Sequence, residues 1–385
     1  MSHHHPSVFT VPPPLSASLQ SVLLRRDLKI STFYYMNLRT IILVLLIAFF
    51  GALVFAWQPI KAIYLTGVPA NAKTSFVQIP TGASFDQVVG ILKREGLIED
   101  EKGFRWVAER MKYIKNPMRA GRFEIQPGWT NRELVTHLRG GKQAPVKIVL
   151  NNERLPEEVA GKVARFIETD SLTLLQYFND PQMMAQAGYN KETFMSLFIP
   201  NTYEMFWNTD AKTFVERMIK ENQAFWDKNG RRDKARALGL SEKEVYTLAS
   251  IVERETNYNP EKPVIAGVYL NRLRTGMKLQ ADPTCVFATR DFATRRVTLY
   301  HTTFNSPYNT YLYKGLPPGP ISMAGIPSLD AVLQAEKHEY LYFCAKPDDS
   351  GAHAFAATYA AHLVNAERFQ QYLNKKGITA TKTSF

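Results

Sequence analysis

Cysteine is almost absent from this chain of 385 residues, which contains only Cys285 and Cys344. Two cysteines exclude a disulfide-rich scaffold; they leave open one bridge or two buried thiols, and the thiols are favoured. The eight histidines show no metal-ligand spacing, and we expect His353 and His362 to serve packing or hydrogen bonding. The sequence therefore predicts neither a metal site nor a cofactor.

Long apolar runs are also lacking, except for the uncharged segment from residue 40 to residue 57. This run is just long enough to cross the hydrocarbon core of a bilayer. A cleavable signal peptide is the alternative, but the run exceeds the usual apolar region of such a peptide, and no small-x-small site follows before Gln58 and Pro59. We expect one uncleaved transmembrane helix at 40–57, preceded by a disordered tail at 1–39.

Positive charge dominates, with a formal net charge of +12. Arg25, Arg26, Lys29 and Arg39 precede the apolar run, so the N-terminus is predicted to be cytoplasmic and the rest of the chain extracytoplasmic. A basic extracytoplasmic protein suits anionic phospholipid or cell-wall polymer as its partner. Nucleic acid is not an expected partner, because an outside domain rarely meets it.

A repeated unit follows the apolar run. Residues 79–93 align without a gap with residues 125–139, and both copies suggest a strand end, a Pro/Gly turn and a helix. The predicted capping boxes are Ser84 with Gln87 and Thr130 with Glu133. A further helix is expected between the copies, from Asp100 to Lys115. Together these elements predict a small α+β module over 73–145.

The region from 146 to 375 alternates helical patterns with turn-rich segments. It opens on a degenerate third copy, with a strand at 146–150 and a helix starting near Pro156. The predicted helices are 156–168, 171–178, 211–228, 242–257 and 261–274, and the predicted strands are 340–343 and 351–355. Aromatic and amide residues in the loops could line a carbohydrate-binding groove. Equally well, the aromatic residues could pack in the core and the polar residues could form turns. We expect a second, mixed α+β domain.

Two carboxylates flank the helix predicted at 242–257, which begins with a capping box of Ser241 and Glu244. Its apolar stripe is Val245, Leu248, Ala249, Val252 and Thr256. At about 100° per residue, Glu253 and Glu255 lie about 80° to either side of this stripe, and Arg254 points away from it. Desolvation at such a boundary can raise a carboxyl pKa and give a proton donor. Helix geometry alone does not choose between the two carboxyls. Glutamates without any catalytic role also occur at the edge of the apolar stripe of an amphipathic helix.

Several motifs occur together in one order: IVERET (251–256), NRL (271–273), LQADPT (279–284), SPYNTY (306–311), GLPPGPI (315–321), YLYF (340–343) and GAHAF (351–355). In this the chain resembles the endolytic murein transglycosylases of the YceG-like family. The resemblance covers nearly everything after the tail and implies a LysM-like module at 73–145 and a catalytic domain at 146–375. The chain departs from the family pattern at Ser322–Gly325, where the family usually has Asn-Pro-Gly, and at Leu150–Arg154, where Ile-Pro-Glu-Gly is common in the family.

The resemblance also implies site residues. The family's catalytic glutamate corresponds to Glu253, which would act as both acid and base. Glu255 diverges from it by about 200° around the helix, so we interpret it as a supporting hydrogen-bond partner, of Asn271 or Arg272. Candidate substrate-binding residues are Gln280, Asp282, Tyr308, Asn309, Tyr311, Asn201, Thr202 and Tyr203.

The predicted function is that of a single-pass inner-membrane lytic transglycosylase. It would cleave the bond between N-acetylmuramic acid and N-acetylglucosamine in nascent glycan, leave 1,6-anhydro ends and so limit strand length during cell-wall biogenesis. Its partners would be peptidoglycan strands, the membrane and peptidoglycan synthases. A hydrolytic muramidase and a non-catalytic glycan-binding scaffold are the alternatives.

Overall fold

The computed structural model describes residues 38–64, 67–294 and 296–376. The predicted tail therefore lies outside the described residues up to residue 37. The helices are α1 (Leu38–Tyr64), α2 (Phe85–Arg94), α3 (Glu101–Arg110), α4 (Asn131–Gly140), α5 (Pro156–Val163), α6 (Ser171–Phe178), α7 (Pro181–Gln186), α8 (Ala211–Asp227), α9 (Arg231–Ala237), α10 (Glu242–Glu255), α11 (Lys262–Arg274), α12 (Asp282–Thr289), α13 (Leu299–Thr303), α14 (Ile326–Leu333) and α15 (Tyr359–Lys375). The strands are β1 (Phe76–Ile79), β2 (Gly121–Glu124), β3 (Val146–Leu150), β4 (Asn201–Met205), β5 (Tyr342–Ala345) and β6 (His353–Ala356), and short 3-10 helices lie at Phe194–Leu197 and Asn259–Glu261. This mixture of helices and strands confirms the predicted α+β class.

The chain folds into two compact units. The first comprises the described residues up to Ser75 together with Val89–Ile114 and Ile125–Gly140. The second comprises Phe76–Val88, Lys115–Glu124 and the described residues from Gly141 onward. All the residues predicted for the site lie in the second unit.

Helix α1 contains the apolar segment Thr40–Trp57, none of which is buried. It is long and apolar enough to cross a membrane. A signal sequence near an N-terminus can be equally long and apolar. The structure therefore shows the helix, and its insertion into a membrane stays a prediction.

The repeat is visible in the local geometry of both copies. Gly82 and Gly128 each have φ +81° in their Pro/Gly turns, a conformation that favours glycine. Both predicted capping boxes form: Ser84 N–H donates to Gln87 at 2.8 Å and Gln87 N–H to Ser84 at 3.3 Å, while Thr130 N–H donates to Glu133 at 2.8 Å and Glu133 N–H to Thr130 at 3.2 Å. Strands β1 and β2 pair antiparallel.

Helix α3, between the copies, is shorter than predicted. Its N-terminus is capped as expected, because the Asp100 side chain accepts the Gly103 N–H at 2.9 Å. The helix ends at Arg110, five residues before the predicted Lys115. Lys112 adopts φ +53°, a left-handed conformation that stops a helix.

The second unit opens on the predicted third strand. β3 spans Val146–Leu150 as expected, and Pro156 occupies the first turn of α5. The partner strand β4, which pairs antiparallel with β3, is not among the predicted strands. Burial alternates along β4, where Tyr203 and Met205 face the core, and such a short alternating run is weak evidence of a strand in the sequence.

Helix α10 lies in one of the two hydrophobic clusters formed by the described residues. Its bounds agree with the prediction to within two residues, and the Ser241–Glu244 capping box is present. The predicted one-sided stripe is wrong, because every residue from Val245 to Val252 is buried. Arg254 does not point into solvent either; it is half-buried and donates from Nη2 to the Asn152 carbonyl at 2.9 Å. A helix enclosed on all sides has no free polar face.

The buried hydroxyl of Tyr246 ties α10 to two other segments. It donates to the Phe198 carbonyl at 2.6 Å and accepts the Ala324 N–H at 3.2 Å. We expect Tyr246→Phe to lower the free energy of unfolding by about 2 kcal/mol, because it leaves two buried backbone groups unpaired. Urea unfolding of the full chain measures this, with the exposed Tyr300→Phe as control. Equal stability of the two variants would contradict the prediction.

The helices that were not predicted are α7, α9, α12, α13, α14 and α15. Strands β5 and β6 form the expected antiparallel pair, two residues later than predicted. Both cysteines are free thiols, with Cys285 buried and Cys344 half-buried. His353 bonds to Glu261 at 2.8 Å, and the His362 ring stacks on Tyr342, in agreement with packing roles.

Candidate active site

The carboxyl group of Glu253 is held through one of its two oxygens. Oε2 accepts a hydrogen bond from Lys262 Nζ at 3.1 Å and a second from the Ser328 hydroxyl. No hydrogen bond from any described residue reaches Oε1. The side chain is 30% exposed, so one oxygen is fixed by the protein and the other is available to a ligand.

Three elements position this carboxyl. Glu253 lies in the last turn of α10, Lys262 begins α11, and Ser328 lies in the first turn of α14. Lys262 and Ser328 are both buried. Gly325, just before α14, approaches so closely that a Cβ there would lie 3.0 Å from Oε2. The carboxyl therefore packs against backbone on that side and has little freedom to rotate.

The segment that precedes α14 is hydrogen-bonded to side chains of α10. The Ile321 N–H donates to the buried Ser250 hydroxyl at 3.0 Å, and the Ala324 N–H donates to Tyr246. Because both acceptors lie on the same helix as Glu253, the close approach of Gly325 is fixed by α10 itself. The departure from the family pattern at Ser322–Gly325 thus lies directly against the carboxyl.

Glu255 lies in a different environment. Tyr269 Oη donates to its Oε1 at 2.5 Å, and burial raises its pKa to about 7, helped by Asp282 and opposed by Tyr269 and Arg272. Its partner is therefore Tyr269 and not Asn271 or Arg272, which donate to backbone carbonyls.

Glu255 also lines a cavity of about 230 Å³. The other lining residues are Arg154, Arg254, Asp282, Pro283, Val286, Phe287 and Ile321. Arg272 is the buried cation near this carboxyl, and its guanidinium donates hydrogen bonds to the Leu341 and Leu279 carbonyls. Glu255 is thus a partly desolvated acid at the wall of a cavity.

The raised pKa of Glu255 predicts a pH-dependent stability. Below pH 4.5 the group is protonated in the folded and unfolded chains alike. Between 4.5 and about 7 the unfolded chain ionises first, so the free energy of unfolding falls as pH rises and is constant above that window. We expect Glu255→Gln to remove this fall, which is at most about 3 kcal/mol before screening by cavity water.

Urea unfolding at a series of pH values measures this contribution. Glu367→Gln, which removes an exposed carboxyl on α15, is the matched control and should keep the slope of the wild type. A Glu255→Gln variant with the same pH slope as that control would refute the assignment.

Among the predicted binding residues, Asp282 and Tyr311 come together with Glu255. Asp282 lines the same cavity and accepts a hydrogen bond from Tyr311 Oη. Tyr308 lines an adjacent cavity of about 190 Å³, and its ring lies 4.8 Å from that of Phe287. Gln280 is exposed, at φ +51°.

The remaining predicted residues lie elsewhere. Asn309 is fully buried, and its amide donates to the carbonyls of His301 and Thr302 in α13 and of Phe304 just after it, so it holds its loop against the end of that helix. Asn201 and Thr202 are exposed on β4. Tyr203 is buried and donates to the Ile199 carbonyl. Asn201 and Tyr203 line a separate cavity of about 270 Å³, which also contains Ile326 of α14.

Sequence reasoning missed Lys262 and Ser328. The one available signal was a lysine directly before the apolar run that opens α11, since a cation buried at such a place needs a partner. Ser328 carries no local signal, since it is 75 residues away from Glu253. No group of three or more histidine, cysteine, aspartate or glutamate side chains in the described ranges is arranged to hold a metal ion.

Comparison with known proteins identifies the family. The model of the YceG-like family matches residues 77–368. The chain belongs to this family. It is 27% identical over 333 residues to the endolytic murein transglycosylase of Bacillus subtilis, with 81% of this chain and 89% of the relative covered. The endolytic murein transglycosylase of Streptococcus pneumoniae is 26% identical, and here 73% of this chain and 56% of the relative are covered.

The fold is shared with a solved YceG-like structure. A 2.6 Å crystal structure of a YceG-like protein from Listeria monocytogenes superposes with a TM-score of 0.51 at 27% identity, covering 75% of this chain and 97% of that one. The predicted membership of the YceG-like family is confirmed. With it, the prediction of a lytic transglycosylase enzyme is confirmed by relatives that span most of the chain.

Proposed function

We propose that this YceG-like protein is an endolytic murein transglycosylase that cleaves the bond between N-acetylmuramic acid and N-acetylglucosamine in nascent glycan strands. The observation that carries the proposal is the single carboxyl group of Glu253, fixed at Oε2 by Lys262 and Ser328 and open at Oε1. The names of the bacterial relatives support the choice of murein as the substrate.

One carboxyl suffices when the nucleophile belongs to the substrate. Protonated Glu253 donates its proton to the glycosidic oxygen, and the bond from that oxygen to C1 of the muramyl residue breaks. The C6 hydroxyl of the same residue attacks C1 and gives its proton to the Glu253 carboxylate. The acid is regenerated, no water is consumed and a 1,6-anhydro end remains. A hydrolase, by contrast, generally needs two carboxyls to activate an external water.

Lys262 and Ser328 support both halves of this cycle. The Lys262 ammonium stabilises the negative charge that Glu253 carries after donating its proton. The Ser328 hydroxyl fixes the orientation of the carboxyl plane, so that Oε1 faces the substrate in both steps. Glu255 has no step in this cycle, because Tyr269 and its own cavity place it elsewhere on α10.

The rest of the chain fits an enzyme that acts at the membrane surface. We infer that residues 40–57 of helix α1 anchor the protein in the inner membrane, with the N-terminus in the cytoplasm. We also infer that residues 73–145 form a LysM-like module and that residues 146–375 form the catalytic domain. An anchored enzyme would meet glycan where peptidoglycan synthases extrude it and would terminate strand elongation there. The exposed apolar surface of α1 and the two repeat copies support this assignment.

Product chemistry tests the proposal. Purified full-length protein in detergent is incubated with uncrosslinked glycan strands, and the fragments are analysed by mass spectrometry. We expect internal cleavage with anhydro ends, lighter by one water than reducing ends. Reducing ends would identify a hydrolytic muramidase, and intact strands with folded protein would identify a binding scaffold; either result overturns the proposal.

A further inference from the structure

Two side chains of opposite charge lie buried next to each other where α11 begins. Glu261 ends the short 3-10 helix, and Lys262 is the first residue of α11. Lys262 Nζ donates to Glu253 at 3.1 Å. The Glu261 carboxyl bonds instead to His353 of β6. Burying a charge is costly unless it is paired and hydrogen-bonded, so each of the two charges depends on its own partner.

His353 supplies both hydrogen bonds that the Glu261 carboxyl accepts from the described residues. Its backbone N–H donates to Oε1 at 2.6 Å, and its Nδ1 lies 2.8 Å from Oε2. An ionised carboxylate only accepts hydrogen bonds, so Nδ1 carries the hydrogen and donates it. The His353 side chain is 16% exposed, and the pair is therefore largely shielded from water. One residue, 92 positions away in the chain, thus holds both oxygens of Glu261.

The hairpin of β5 and β6, which carries His353, is fixed along α11. The Phe343 ring of β5 lies 5.3 Å from the His353 ring and 5.9 Å from the Tyr269 ring, edge to face in both cases. Near the end of the helix, Arg272 Nε donates to the Leu341 carbonyl at 2.6 Å. The hairpin therefore holds α11 in its middle and at its end, and His353 holds it at its start.

We propose that His353 is a positioning residue for the Glu253 carboxyl and that it acts through Glu261 and Lys262. The inference rests on the proposed function. Lys262 forms an ion pair with Glu253 and with no other carboxylate in the described ranges. Without the imidazole, Glu261 would be a buried carboxylate beside the flexible side chain of a lysine. It would compete with Glu253 for the ammonium group, and His353 prevents this competition.

The arrangement assigns each donor to one carboxyl. His353 serves Glu261. Lys262 and the Ser328 hydroxyl serve Glu253, and the ammonium group stabilises the carboxylate that forms when Glu253 donates its proton. A displacement of about 1 Å at a reacting group can lower a rate by about a hundredfold. The histidine of the GAHAF motif therefore affects the chemical step without touching the substrate.

Zero-length crosslinking measures this assignment without any cleavage of glycan. A carbodiimide activates the partly exposed Glu253 carboxyl of the full-length protein in detergent. Attack by Lys262 Nζ then joins the two side chains through an amide. Trypsin cleaves after Arg254, so the crosslink joins two peptides, and mass spectrometry quantifies them.

Four variants are compared with the wild type. His353→Leu removes the imidazole donor, whereas His353→Asn keeps a donor nitrogen at the position of Nδ1. His353→Gln places its amide at the position of Nε2 and replaces the leucine variant if that variant unfolds. His362→Leu, which removes a half-buried ring on α15, is the matched control. Thermal unfolding establishes that each variant is folded.

We expect His353→Leu to lower the yield of the Glu253–Lys262 crosslink about threefold or more, because Glu261 then competes for the ammonium group. His353→Asn and His362→Leu should keep the yield of the wild type. Adding Glu261→Gln to His353→Leu should restore the yield, since it removes the competing charge. An unchanged yield in His353→Leu, an equal loss in His353→Asn, or no recovery with Glu261→Gln overturns the assignment.

Cleavage kinetics separate this inference from the proposed function. His353→Leu should lower kcat about tenfold with little change in KM, and it should cause no further loss in a Lys262→Met background. If the wild type releases no anhydro-ended fragments, the proposed function fails, and the crosslinks still decide whether His353 reserves Lys262 for Glu253. If the wild type cleaves and His353→Leu keeps its kcat, the positioning role fails and the proposed function stands.

Discussion

Glu253→Gln should reduce the kcat for glycan cleavage by about 10³-fold or more, because one residue supplies both proton transfers. The substitution keeps the shape of the side chain, and its amide oxygen still accepts hydrogen bonds from Lys262 and Ser328. The free energy of unfolding should therefore change little. The assay quantifies anhydro-ended fragments released from uncrosslinked strands by the full chain, alongside a urea unfolding curve.

Glu367→Gln provides the control, since it removes one negative charge from the exposed face of α15. It should cleave at the rate of the wild type. A Glu253→Gln variant that is folded and keeps more than a tenth of the activity would exclude the single-carboxyl mechanism. In that case Glu255, the other acid of α10, would become the residue to test.

Lys262→Met should lower kcat by about 10²-fold with little change in KM. The ammonium group stabilises the carboxylate that forms when Glu253 donates its proton, so its loss affects the chemical step more than binding. Because Glu253 is 30% exposed and keeps its Ser328 hydrogen bond, water can solvate it. We expect the free energy of unfolding to change by only about 1–2 kcal/mol.

A double-mutant cycle separates positioning from general destabilisation. Lys262 and Ser328 donate to the same oxygen, so the kcat losses of Lys262→Met and Ser328→Ala should not add. Lys212→Met, which removes an exposed charge on α8, is the control for loss of a lysine. Strictly additive losses, or a kcat for Lys262→Met within threefold of the wild type, would show that Lys262 does not act through Glu253.

Local chemistry predicted much of the fold. The capping boxes at Ser84, Thr130 and Ser241 form as expected, because each depends on two residues three positions apart. Helix α6 has its predicted bounds, and α8 and α11 have theirs to within one residue. Elements with short or weak patterns, such as β4 and α14, escaped prediction because their partners are distant in the chain.

The site was predictable only in part. Glu253 could be chosen over Glu255 by family resemblance, and helix geometry correctly placed the two carboxyls in different surroundings. Substrate contact by Gln280, Asp282, Tyr308, Tyr311, Asn201, Thr202 and Tyr203 stays a prediction, as does contact by the buried Asn309. The structure groups Asp282 and Tyr311 around Glu255, and this grouping depends on how α12 and its neighbouring loop pack against α10.

By itself, the sequence determined the apolar helix, the repeat and the α+β class, since each follows from local patterning. Its choice of Glu253 as the catalytic carboxyl rests on motifs in order and stays a prediction. Only the tertiary structure decided what surrounds that carboxyl. Lys262, Ser328 and Gly325 reach Glu253 because α11 and α14 pack against α10. Distances between side chains far apart in the chain are set by packing, and no spacing in the sequence encodes them.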